Sequence, residues 1–157
     1  MKKILSVFLA IVFVFSILTV SVFASDDEIV ISETIEQLED GSYLIVSLTE
    51  EKTSNLRATS TKTGSKTFTL YNSNDEKLVE MKLTATFSYT GSSATCTNVA
   101  PTFTVYNSNW RVTKSTGTKS GNKGIGEFIA KKYTFGINTQ TIEESITITC
   151  SNTGVLS

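Results

Sequence analysis

The sequence predicts an all-β fold: an antiparallel β-sandwich or flattened barrel with one disulfide, preceded by a cleaved signal peptide. Three observations predict it. From Leu78 to Thr90, Met81, Leu83, Ala85, Phe87 and Tyr89 alternate with Glu80, Lys82, Thr84, Thr86 and Ser88. That is the pattern of a strand with one face on a core and one in water. Thr141 to Cys150 alternates in the same way, with Ile142, Ile146, Ile148 and Cys150 on one side. No long stretch carries a helical period, and threonine and aromatic residues, which suit a pleated surface, recur through the chain.

In chain order, Lys2 and Lys3 precede an apolar run from Ile4 to about Val22, and Val22-Phe23-Ala24 places small residues at the −3 and −1 positions. This predicts a secretory signal peptide over residues 1–24, cut before Ser25, and therefore an extracellular protein. An uncleaved anchor is the alternative, since the run is long enough to cross a bilayer. Residues 25–157 suffice for one domain with its own core.

Residues 25–52 form an acidic segment. Asp26 to Glu51 holds nine acidic residues and no basic one, whereas the chain after it holds twelve Lys and Arg against six Asp and Glu. Glu39-Asp40-Gly41-Ser42 is a turn signal between Ile29–Ile31 and Tyr43–Val46, which predicts a hairpin. Ile35 and Leu38 share helical spacing, which allows a short helix over Ser32–Leu38. Residues 53–65, rich in Thr and Ser, read as a polar linker. Two readings of the acidic hairpin stand: extra edge strands of the following sheet, or a detachable segment docked by charge with Arg57 as a processing point.

The β-sandwich domain is predicted over 66–157, with strands at Lys66–Tyr71, Leu78–Thr90, Ala94–Tyr106, Trp110–Thr118, Ile125–Ile137 and Thr141–Cys150. In Ala94–Tyr106 the apolar parity slips between Cys96 and Val99, so a bulge is expected over Asn98–Pro101, and Pro101 marks an edge or a break. Thr67-Phe68-Thr69-Leu70-Tyr71-Asn72-Ser73-Asn74 repeats as Thr102-Phe103-Thr104-Val105-Tyr106-Asn107-Ser108-Asn109 at seven of eight positions. The repeat is one turn geometry used twice, or two equivalent binding loops. Tyr71, Asn72, Asn74, Tyr106, Asn107 and Asn109 are the candidate ligand-binding residues, because exposed tyrosines offer apolar faces with polar handles. Trp110, opening a strand, is a core candidate.

Cys96 and Cys150 both fall in the exported part, where thiols are normally oxidised, which predicts a Cys96–Cys150 disulfide. Such a bridge closes a long loop and contributes about 4 kcal/mol in the chain-entropy model.

Catalytic groups are scarce. The chain contains no histidine, which removes the commonest general base, the Ser and Cys triads and most zinc sites. Glu143 and Glu144 are adjacent in a strand and face opposite sides, so they make no acid–base pair; Glu80 and Glu127 are strand-face carboxylates. Ser120-Gly121-Asn122-Lys123 and Lys62-Thr63-Gly64 match short penicillin-enzyme patterns, but in the wrong order and without a helix. Gly121, Gly124 and Gly126 precede no helix and form no phosphate loop. The expectation is no enzyme, no metal, no cofactor and no nucleic-acid partner, and no membrane partner once the signal is removed.

Thr86-Phe87-Ser88-Tyr89-Thr90-Gly91, Cys96, Trp110, Lys119-Ser120-Gly121-Asn122 and Ile146-Thr147-Ile148-Thr149-Cys150 resemble a group of small secreted β-proteins of Gram-positive bacteria with no assigned function, over about Gly64–Ser157. The resemblance implies export, one disulfide and a β fold, and carries no catalytic residues. The order Cys96, Trp110, Cys150 looks like the immunoglobulin arrangement, although Ile148 stands where that fold has a tyrosine. The function expected is that of a secreted non-catalytic domain for extracellular interaction with a protein or glycan. The alternatives are a carbohydrate or cell-wall binding module and an antimicrobial or toxin-like polypeptide with an acidic pro-segment.

Overall fold

The computed structural model describes residues 28–51 and 60–157; the signal-peptide residues 1–24 and the first part of the expected linker fall outside them. Alternating side chains resolve into eight strands: β1 (Glu28–Gln37), β2 (Tyr43–Glu51), β3 (Ser60–Tyr71), β4 (Lys77–Tyr89), β5 (Ala94–Val105), β6 (Trp110–Ser120), β7 (Lys123–Thr134) and β8 (Ile137–Thr149). They form two antiparallel sheets, ordered β1-β2-β3-β4-β5 and β6-β7-β8, and neither closes into a barrel.

The acidic hairpin is the edge of the larger sheet. β2 pairs with β3 from Tyr43↔Tyr71 to Glu50↔Gly64, and the ion pairs Glu50–Lys62 and Glu28–Lys82 join it to β3 and β4. Ser32–Leu38 is not a helix: Thr34, Ile35 and Glu36 pair with Val46, Ile45 and Leu44, and seven residues are too few to offset the cost of nucleating a helix. Nor are Ser60–Ser65 linker, because β3 starts at Ser60. Their hydroxyls bond across to β4, Thr63 with Thr86 at 3.2 Å and Ser65 with Thr84 at 2.9 Å.

Paired residues share a face, so the registers identify the core. Val79, Met81, Leu83, Ala85 and Phe87 of β4 face inward with Leu70 of β3 and Leu44 and Leu48 of β2. Phe128 and Ala130 of β7 and Ile146 and Ile148 of β8 meet them from the smaller sheet. Each such side chain contributes about 1.5–3 kcal/mol on burial. β6 packs over β5, β7 over β4 and β8 over β3. At the centre the sheets approach closely because Gly117, Gly124 and Gly126 face inward: a Cβ on Gly117 would meet Val99, one on Gly124 would meet Ala85, and one on Gly126 would meet Leu83, all within 3.0 Å. These glycines serve packing.

The parity slip in β5 is a bulge at Thr97, one residue before the expected segment: Phe87 pairs with Cys96 and Thr86 with Asn98. Pro101 lies on β5, the edge strand. Trp110 is buried.

Antiparallel order places the β1–β2, β3–β4 and β7–β8 turns and the β5–β6 connection at one end, called here the Tyr106 end. The β4–β5 and β6–β7 turns and residues 150–157 lie at the other. There the chain after β8 folds back: Cys150 bridges Leu156, Thr149 exchanges backbone hydrogen bonds with Ser157, and Leu156 is buried against Gly64.

The two cysteines also lie at this second end, and they are not bonded to each other. Both are buried free thiols. Their backbone N–H groups donate to consecutive carbonyls, Cys96 to Gly121 at 2.8 Å and Cys150 to Asn122 at 3.0 Å. Each sulfur is turned to a carbonyl beside it, Cys96 Sγ to Asn98 O and Cys150 Sγ to Ser151 O, both at 3.4 Å. The expected disulfide is therefore replaced by two thiols whose pKa values burial pushes up. Trp110 opens β6 at the opposite end, so the immunoglobulin-like order does not place a tryptophan on a cysteine pair.

Candidate functional site

The candidate residues come together at the Tyr106 end. Tyr43 and Tyr71 are register partners on the outer face of the larger sheet, and their rings stack at 5.1 Å with an interplanar angle of 6°. Lys77 of β4 comes next, its Nζ 5.6 Å from the centre of the Tyr106 ring. Tyr43, Tyr71 and Lys77 of β2, β3 and β4 thus make one row with Tyr106, just past the end of β5. Tyr43 Oη–H donates to Asp75 Oδ1 at 2.8 Å, and that bond raises its pKa because the proton is shared with a carboxylate.

The repeated segments build the same turn twice. Asn72 Oδ1 accepts the Asn74 N–H at 2.9 Å, and Asn107 Oδ1 accepts the Asn109 N–H at 2.9 Å. Asp75 N–H bonds back to Asn72 O and Trp110 N–H to Asn107 O. This is the side-chain turn that Asn favours. One copy continues as a hairpin into β4, and the other carries the chain into the second sheet. The side-chain oxygens of Asn72 and Asn107 are thereby committed to the backbone, while Asn74 and Asn109 remain exposed.

Two residues unmarked by the sequence reading belong to this end. Phe135 is 100% exposed and Ile137 68%, at the β7–β8 turn, where one continuous strand to Ile137 was expected. Beside them Arg111 lies over the Tyr133 ring, 5.1 Å from its centre. Phe103 and Tyr106 add further exposed aromatic surface at this end.

The carboxylates are dispersed. Glu80 is on the outer face of the larger sheet, bonded to Lys77, and Glu127 is on the outer face of the smaller one, bonded to Lys114, so the sandwich separates them. A shallow depression of about 320 Å³ lies beside Lys114, Glu127, Ile129, Glu143 and Ser145. Glu143 points outward and Glu144 inward, paired with Ile129 and Phe128 respectively. Burial, and then the nearby Glu36 carboxylate of β1, raise the Glu144 pKa.

The chain matches no family model, no curated protein and no solved structure.

Proposed function

We propose that the chain is a secreted, non-catalytic binding domain that meets its extracellular partner with the Tyr106 end. The observation that supports this is the gathering of exposed aromatic side chains. Phe103, Tyr106 and Phe135 all stand open there beside Ile137, whereas the exposed apolar side chains toward the opposite end, Ile29, Ile31 and Val155, are aliphatic. Apolar side chains gathered and left in water mark interaction sites. A photo-crosslinker at position 106 should label a partner on intact cells, and one at Ser120, at the far end, should not. Equal labelling from both positions would overturn the assignment.

A glycan is the second reading, favoured by the placement of Tyr71 and Tyr106 on either side of Lys77. It uses the exposed Tyr106 ring with Asn74 and Asn109. A glycan-array signal that disappears in the Tyr71→Ala/Tyr106→Ala double variant would establish it in place of a protein or lipid partner.

A further inference from the structure

We propose that the β7–β8 hairpin tip is a docking element for the surface of an anionic phospholipid bilayer, with Phe135 and Ile137 entering the interface and Arg111 and Lys131 contacting the headgroups. The proposal rests on the binding-domain reading and names its partner; it replaces the expectation of no membrane contact.

Thr134 pairs with Ile137, leaving a two-residue loop in which Phe135 has φ 52° and Gly136 φ 80°. Positive φ at both central positions is the type I′ pattern, for which Asn, Asp or Gly is favoured at the first. A bulky residue there is a backbone outlier. Fully exposed, the Phe135 ring packs on nothing in the fold. Backbone strain is retained where it serves function.

Arg111 pairs directly with Lys131 across β6 and β7 on the outer face, and like charges opposed in this way destabilise a sheet. Lys132 pairs with the buried Trp110 and so lies on the opposite face, toward Asp40. Among the described residues none of these three cations lies in an ion pair. Asp40 is the acid that Lys132 influences, and it already bonds Ser42 and accepts from Gln140. The two irregularities, an apolar residue held in water and two cations opposed across β6 and β7, occur at the same end of the smaller sheet. An anionic surface with an apolar interior relieves both.

The tip is convex, so a protein partner would need a matching cavity, whereas a bilayer yields to a protruding ring. Apolar tips with basic and aromatic flanks suit the headgroup boundary.

The test is co-sedimentation of the purified protein with vesicles of phosphatidylglycerol and phosphatidylcholine in equal parts, against phosphatidylcholine alone. Binding is expected only to the anionic vesicles and should fall steeply at high salt. Phe135→Asn, which suits the turn, should melt no lower than the parent yet bind about tenfold more weakly. Arg111→Ser/Lys131→Ser should weaken binding to a similar degree. No binding by the parent protein, or undiminished binding by Phe135→Asn, overturns the proposal. Capture by polyglutamate resin without vesicle binding does so in favour of an acidic macromolecule. If vesicles fail while position 106 still crosslinks selectively, the bilayer is wrong and the binding-domain reading survives; if both fail, both fall.

Discussion

Gly124 of β7 lies across the sandwich from Ala85 of β4, so close that a Cβ on Gly124 would stand 2.7 Å from the Ala85 Cβ and 3.3 Å from Val99 Cγ2. The contact sets the spacing of the two sheets at that point. Gly124→Val should therefore force them apart and cost about 1–3 kcal/mol by overpacking. A lower urea midpoint with an unchanged slope is the expected result.

Phe87 is completely buried on β4's inner face, near the end of the strand. Phe87→Ala should cost about 3–5 kcal/mol, from lost transfer free energy and the cavity left behind. Against a usual total of about 5–15 kcal/mol, that leaves a marginal fold, visible as a large drop in thermal midpoint.

Cys96 and Cys150 are buried with raised pKa values, and the thiolate is the reacting form. An aromatic disulfide reagent should react slowly with the native protein and rapidly with two equivalents in denaturant, without prior reduction. An intact mass two daltons below the all-thiol value would contradict the free thiols.

Glu144 holds its proton more tightly folded than unfolded, through burial and then Glu36. Its stabilising contribution is complete below the ordinary glutamate range and is lost as pH rises through the elevated value. Glu144→Gln removes the cost of the buried charge. It should melt roughly a few degrees above the parent near neutrality, and the difference should vanish in acid.

Where an inner face is apolar, the sequence already carried the fold. β4 and β8 were legible by alternation, Trp110 as core, the Ile29–Val46 hairpin by its turn and the β5 bulge by its parity slip. β3 before Lys66 was not, for a physical reason: its inward positions there are Lys62 and Gly64, the first in an ion pair and the second receiving Leu156. No hydrophobic period exists to be read. The Phe135 turn was hidden because its first central residue is one that such turns normally avoid, and only Gly136 signals it. Cys150 was legible as an inward-facing residue, but export chemistry does not fix where the two sulfurs point. Tyr71 and Tyr106 were legible as strand-end residues, while their link through Lys77 needed the strand order.

Every strand pairs only with its neighbours along the chain, which bears on how the molecule assembles. Ladder formation requires only short loops to close and can proceed stepwise from either hairpin, whereas bringing β7 onto β4 joins segments far apart in sequence and carries the larger entropic toll. Sheet docking is then the slow event, and the glycine-lined contact between the layers is where the rate is decided.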